Sequence, residues 1–352
     1  MNTRSDELTK AQQAPRWGAP FLAGANRPIV LPALSVPFPV RKNPHHATVR
    51  DRTRDWLVAS RLIDDPQRLE RMDDADFTGL SARAFPDACA EDLFLLDTFY
   101  LAYFIFDDQF DEAAGGHAQV RYKVQAALRL MRLQSADSGD AHGAAEWVLR
   151  QSWDALRQQM PISWQRRFLK HLAAYLRSLL RSPQSPVDLV AYLQTRRDNG
   201  GLETSFDCIE LANRIVVPER FHASYLDRLL RQAANDAACL FNDIYSYDKE
   251  RRCGKTDNAV AICAQLLNED PACAMQFVGN LAMTRVDSFC QAKAHLPDAL
   301  KTGRYTHVEQ TAILRYVNGL ECWMSGLLDW SRLSPRYRES PDGRGLGSNT
   351  TD

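Results

Sequence analysis

The chain is expected to fold as a single all-α domain, and three features of its sequence carry that expectation. Apolar residues recur every three to four positions, the period of an amphipathic helix, at 47–60, 90–108, 119–134, 144–159, 164–181, 186–198, 219–249, 258–267, 271–294 and 308–331. Long alternating patterns that would mark strands are missing. The helical stretches are separated by turn chemistry, at Asp64-Asp65-Pro66, Ala113 to Gly116, Ser135 to Gly143, Ser182 to Pro186, Pro218, and Gly254 to Asn258.

Length and ends set the domain plan. At 352 residues the chain is long for one domain, yet no internal linker and no repeat period appears. Residues 1–44 carry Pro15, Pro20, Pro28, Pro32, Pro37, Pro39 and Pro44, a spacing that forbids a long helix and predicts a partly disordered arm. The helical domain is expected over 45–338. The last stretch, 339–352, is rich in Gly, Ser and Asp with little to bury, and is expected to be a disordered tail.

Composition excludes more than it names. Apolar residues make up 45% and charged residues 25%, ordinary for a globular protein with a sizeable core. With 43 Lys+Arg against 44 Asp+Glu there is no broad basic field for nucleic acid, so anion binding must be local. The N-terminus lacks the apolar stretch of a secretory signal and no run is long enough to span a membrane, so a cytoplasmic protein without membrane insertion is expected. Eight scattered cysteines, with no CxxC pair, read as reduced thiols. The histidines form no Glu-x-x-His pairs of the kind a di-iron bundle needs.

Four short elements carry the chemistry. In FIFDDQFDE (104–112), Asp107 and Asp111 lie one helical turn apart with Asp108 adjacent, at the end of an apolar helix. Like charges at that spacing repel, and carboxylates at a helix C-terminus oppose the macrodipole, so helix stability does not account for them. A hard divalent cation such as magnesium does, because it takes carboxylate oxygens and bridges to phosphate. In NDIYSYDKE (242–250), Asn242, Ser246 and Glu250 recur every four residues and share one helix face as oxygen ligands, with Lys249 beside them for a phosphate oxygen. In RRDNGG (196–201), two arginines precede paired glycines that should break the helix, freeing a backbone carbonyl next to a guanidinium fork. In SPRY (334–337), Arg336 and Tyr337 add donors for phosphate. Taken singly, each also fits a polar helix face or a plain turn.

In this order and at these separations the four elements resemble the signature of bacterial-type class I terpene synthases. DDQFDE matches that family's aspartate-rich motif, NDIYSYDKE its second metal motif, RRDNGG its diphosphate-sensing element and Arg336-Tyr337 its C-terminal pair. WMSGLLDWS (323–331) and VPFPVRKNPHHATVRDRTRDW (36–56) also have the family's look, so the likeness runs from about residue 36 to 338.

The resemblance implies a single-domain helical bundle around a central apolar cavity. Three magnesium ions would be held by Asp107, Asp108, Asp111, Asn242, Ser246 and Glu250. Arg197 would be the diphosphate sensor, Gly200 the linker and Gly201 the effector, although the doubled glycine also allows Arg196 with Asn199 and Gly200. The reaction implied is ionisation of a linear isoprenoid diphosphate, farnesyl diphosphate being favoured, and cyclisation of the cation to a sesquiterpene.

Tyr100, Tyr103 and Phe104 lie seven, four and three residues before Asp107 on its helix face and are candidate walls for that cation. Phe85 and Trp323 join them by family likeness. Prenyl diphosphate synthases are the alternative enzyme class, but a second DDxxD would be expected where NDIYSYDKE stands. A catalytically degenerate protein of the same fold is the non-enzymatic alternative. A monomer or a homodimer is compatible with the sequence.

Overall fold

The computed structural model describes residues 30–60, 63, 66–111, 125, 144–180 and 188–337, with the side chains of 68, 71, 102–111, 144–147 and 149 outside that description. Among the described residues there is no strand. The helices are α1 (His46–Ala59), α2 (Pro66–Ala75), α3 (Phe77–Ala84), α4 (Ala90–Asp111), α5 (Ala144–Gln159), α6 (Ile162–Ser178) and α7 (Leu189–Asn199). They continue as α8 (Leu202–Ala212), α9 (Glu219–His222), α10 (Tyr225–Arg252), α11 (Ala259–Leu267), α12 (Pro271–Ala294), α13 (Leu296–Thr302) and α14 (His307–Leu333). A 3₁₀ turn, Pro335–Tyr337, follows.

Most helices match the apolar periodicity; the stretch 119–134 lies outside the described residues. The stretch expected over 219–249 divides in two, because Ser224 adopts an extended backbone and its hydroxyl caps α10 by accepting from the Asp227 amide at 3.1 Å. The periodic stretches do not include α2, α3, α8 and α13, all of eleven residues or fewer.

Helix α10 is the centre of the bundle, packed most extensively against α12 and α14. Its middle carries Ala233, Ala234, Ala237 and Ala238, all buried, and side chains this small allow neighbouring helices a close approach. Lys249, Arg251 and Arg252 in its last turn complement the macrodipole, and Gly254 at φ 73° ends it. Around this axis Trp164, Tyr192, Phe206, Phe241, Phe289, Tyr316 and Trp330 are fully buried.

Residues 30–44, assigned to the arm on proline content, run against the helical body. Leu34 is buried, the Phe38 ring meets Phe289 edge-on at 5.6 Å, and Ser325 Oγ of α14 donates to the Pro39 carbonyl at 3.3 Å. Arg332 donates to the Leu34 carbonyl. Proline excludes helix here but leaves an extended strap able to pack.

All eight cysteines are free thiols, Cys208, Cys239, Cys263 and Cys322 being buried. No helix among the described residues is long and apolar enough to cross a membrane.

Candidate active site

The NDIYSYDKE segment lies in the last turns of α10, and helical geometry puts Asn242, Ser246 and Glu250 in one row. Ser246 Oγ is buried and, among the described residues, meets no hydrogen-bond partner. Glu250 Oε2 accepts from Asn258 Nδ2 at 2.9 Å. Asn242 is held at both ends of its amide: Oδ1 accepts from Arg196 Nη2 at 2.8 Å, and Nδ2 donates to the Tyr337 hydroxyl at 2.9 Å.

Three of the four sequence elements therefore converge on Asn242. A buried hydroxyl without a partner costs free energy unless something else meets it. Amide, hydroxyl and carboxylate oxygens in one row suit a hard cation. Among the described residues no group of three or more His, Cys, Asp or Glu is gathered as a metal site.

The remaining ligand candidates, Asp107, Asp108 and Asp111, lie on the last turns of α4, as do Tyr103 and Phe104 further back. Their side chains are outside the described residues. Lys249 is partly buried, one residue before Glu250.

The two arginines of RRDNGG take different partners, because successive helix residues point about 100° apart. Arg196 is clamped to the row: Nε donates to Asp243 Oδ1 at 3.1 Å, Nη1 to Asn199 Oδ1 at 3.1 Å, and Tyr192 donates its hydroxyl to the other Asp243 oxygen. Burial disfavours the Arg196 charge, but the Asp243 carboxylate outweighs it and holds the guanidinium well above its ordinary pKa. Arg197 makes a bidentate pair with Asp236, at 2.7 and 2.8 Å, and Arg285 adds to the same carboxylate at 3.0 Å. Hydrogen bonding to Asp236 raises the Arg197 pKa.

The paired glycines do break the helix. Gly200 ends α7, and Gly201 at φ 68° begins α8, a left-handed backbone that favours glycine. The Gly201 carbonyl accepts from Thr204 Oγ1 at 2.8 Å and Ser205 Oγ at 3.0 Å. Gly200 has a separate constraint: a Cβ there would lie 2.6 Å from Cys239 Sγ on α10.

Arg336 places its guanidinium 5.3 Å over the Phe77 ring. Tyr337 packs edge-on to Trp330 at 5.6 Å, and burial pushes its hydroxyl pKa up.

Three of the aromatic candidates form one cluster. Phe85 stacks on Tyr100 at 5.8 Å and meets Trp323 edge-on at 5.5 Å, while Tyr100 and Trp323 are 5.6 Å apart. Phe206 adds an edge contact to Trp323 at 6.4 Å.

Sequence reasoning missed the residues that hold these groups in place. Asp243, Tyr192 and Asn258 are the main ones: Asn258 Nδ2 also donates to the Asp243 carbonyl at 2.9 Å, and Tyr192 and Arg196 share the Asp243 carboxylate. Only Asn258 carried a signal, as the polar residue just before the apolar run of α11.

A second polar system lies along the first half of α10. Arg231 donates to Glu203 Oε2 at 2.8 Å, to the Glu203 carbonyl at 2.8 Å, to Asp207 at 3.1 Å and to the Tyr316 hydroxyl at 2.9 Å. Burial alone would raise the Asp207 pKa, yet His171, Arg231 and Arg167 hold it well below the usual carboxylate range.

The description "Terpene synthase family 2, C-terminal metal binding" matches residues 98–288, more than half of the chain. The chain belongs to that family. The matched span of this terpene synthase contains α10 and the α7–α8 break.

Among relatives, pristinol synthase of Streptomyces pristinaespiralis is 29% identical over 320 residues, covering 88% of this chain and 85% of that protein. The 4-epi-cubebol synthase ((2E,6E)-farnesyl diphosphate cyclizing) of Streptosporangium roseum is 29% identical over 323 residues, with 90% and 94% covered. The crystal structure of germacradien-4-ol synthase from Streptomyces citricolor superposes with a TM-score of 0.75 at 28% identity, covering 85% of this chain and 98% of that one.

Proposed function

We propose that this terpene synthase is a sesquiterpene cyclase that ionises farnesyl diphosphate with magnesium and closes the resulting allylic cation to a cyclic hydrocarbon or alcohol. The observation that carries the reading is the buried Ser246 hydroxyl, without a partner among the described residues, in line with Asn242 and Glu250. The farnesyl substrate is supported by the relatives, one of which is named for cyclising it.

Asn242, Ser246 and Glu250 would hold one ion, and Asp107, Asp108 and Asp111 would hold the other two of three. Magnesium, when bound, stabilises the charge that develops on the departing diphosphate. Arg196, Arg197, Lys249, Arg336 and Tyr337 donate hydrogen bonds to diphosphate oxygens, stabilising the same charge electrostatically. Arg196 is already beside Asn242, whereas Arg197 spends its Nε and Nη2 on Asp236 and would offer Nη1 to diphosphate.

Gly201, at the break, is the effector in this reading, with Gly200 as the joint that lets its peptide turn. The faces of Phe85, Tyr100, Tyr103, Phe104 and Trp323 carry quadrupoles that stabilise a cation and offer it no nucleophile. Diphosphate is the proton acceptor for the final deprotonation.

The test is incubation of the purified chain with geranyl, farnesyl and geranylgeranyl diphosphate, with magnesium or with chelator, and analysis of the extract by gas chromatography and mass spectrometry. A magnesium-dependent cyclic fifteen-carbon product is expected from farnesyl diphosphate. Elongated diphosphates on addition of isopentenyl diphosphate, or no product from a folded chain, would overturn the reading.

A further inference from the structure

The turn between α3 and α4, residues 85–88, carries Phe85, whose carbonyl accepts from the Ala88 amide at 3.3 Å, and it leaves acceptor capacity for a group outside the turn to fill. One side chain from the strap does so. Asn43 Nδ2 donates to the Phe85 carbonyl and to the Ala88 carbonyl, each at 2.8 Å, which uses both amide hydrogens. Its own backbone amide donates to the Ala82 carbonyl at 2.9 Å, and its Oδ1 accepts from the His45 amide at 2.9 Å. The residue is 2% exposed.

A second strap residue grips the same turn from outside. Arg41 Nη1 donates to Asp87 Oδ2 at 2.7 Å, and two residues earlier the Pro39 carbonyl accepts from Ser325 Oγ, two residues past Trp323 on α14, at 3.3 Å. The strap thus holds the backbone on both sides of the Phe85 ring and touches the helix that bears Trp323. Asn43 itself reaches the aromatic cluster only through main-chain atoms.

We infer that Asn43 is a positioning residue that fixes the Phe85 ring against Tyr100 and Trp323 and thereby sets how the cyclising cation partitions among products. The inference rests on the reading of that cluster as a wall of the reaction cavity. Its physical basis is scale: a tenfold change in product ratio needs only about 1.4 kcal/mol between competing barriers. Loss of two buried hydrogen bonds behind a ring in contact with the cation is a perturbation of at least that order.

The experiment compares products from farnesyl diphosphate and magnesium, at a temperature well below every melting point, for the full chain and three variants. Asn43→Asp keeps the shape and the bond from His45 but cannot donate to the two carbonyls; Asn43→Ser, which keeps one donor, replaces it should it not fold. Phe85→Ala removes the ring directly. Leu34→Ala loosens the strap away from the turn. The Asn43 variant is expected to shift the product ratio by roughly two-fold or more, in the direction Phe85→Ala shifts it, while Leu34→Ala lowers the melting temperature and leaves the ratio unchanged.

If Phe85→Ala shifts the ratio and the Asn43 variant does not, the inference fails and the wall stands. An unchanged ratio in Phe85→Ala removes the wall and the inference with it. An equal shift in Leu34→Ala would assign the effect to strap packing in general and overturn the role given to Asn43.

Discussion

The two halves of α10 are built from similar residue types and buried in one bundle, yet the Arg231 network of the first and the Asn242–Ser246–Glu250 row of the second are matched to very different degrees. In the first half, Arg231 is surrounded by Glu203, Asp207 and Tyr316, and Asp236 by Arg197 and Arg285. In the second half, Ser246 has no partner among the described residues and Glu250 is met by a neutral amide. Among the described residues Arg231 and Asp236 have their charges met within the protein, and so does Asp243 in the second half, whereas the row of Asn242, Ser246 and Glu250 presents oxygens that a cation from outside could complete. Polarity alone does not distinguish a structural network from a candidate ligand row; how far the acceptors are matched is the better guide.

The sharpest way to break this comparison is at Arg231. Arg231→Met leaves Glu203 and Asp207 buried without their shared cation and is expected to cost ~3–5 kcal/mol in denaturant unfolding. A loss below ~1 kcal/mol, the size of an exposed pair, would show that the network does not carry the first half of the helix.

In the second half the cost should fall on turnover instead. Asn242→Ala is expected to lower magnesium-dependent turnover by ~10²–10³, the size of one lost electrostatic contact to the transition state. Ser246→Ala should also lower turnover, while its melting temperature stays level or rises because no bond among the described residues is lost. Full activity in either folded variant would remove the row from the site.

A smaller effect sharpens the geometry between the halves. Gly200→Ala drives a methyl group into Cys239 Sγ and is expected to cost ~1–3 kcal/mol, most of it recovered when Cys239→Ala is added. Thermal melts of the three variants measure it, and additive losses would mean that the close approach is not what requires glycine.

The smallest effect is a pH slope at the edge of the first half. Burial pulls the His222 pKa down, but hydrogen bonds to Asp227 at 2.9 Å and Glu210 at 3.2 Å outweigh it and raise it above its ordinary value. The stability this contributes is fully present below about pH 6.5, the unfolded value, and is lost as pH rises through the higher folded pKa. His222→Gln should therefore flatten the fall of melting temperature between neutral and mildly alkaline pH. An unchanged slope would assign that fall to another group.

Much of this arrangement is legible in the sequence because helices make it so. Four-residue spacing was enough to align Asn242, Ser246 and Glu250, and paired glycines were enough to place a break at 200–201. Spacing cannot tell which of two adjacent arginines turns toward α10's row of oxygen donors, since that depends on where Asp243 and Asp236 stand on a neighbouring helix. Asn43 was silent for another reason: it binds carbonyls of a turn, and main-chain atoms leave no pattern in a sequence. Proline content correctly denied helix to the strap but carried no information about Leu34, whose burial needs α12 and α14 to exist first.

That last dependence has a temporal side. The strap's bonds join residues 286 and 298 positions apart, Pro39 with Ser325 and Leu34 with Arg332. During synthesis at about 5–20 residues per second, the first part of the body to leave the ribosome waits roughly 15–60 seconds for the last helix on which it rests. Until then Leu34 and Phe38 remain uncovered, and the turn that carries Phe85 can be gripped by Asn43 before the strap itself is anchored. The contacts between the strap and α14 therefore span nearly the whole described body and can form only after that much of it has been made.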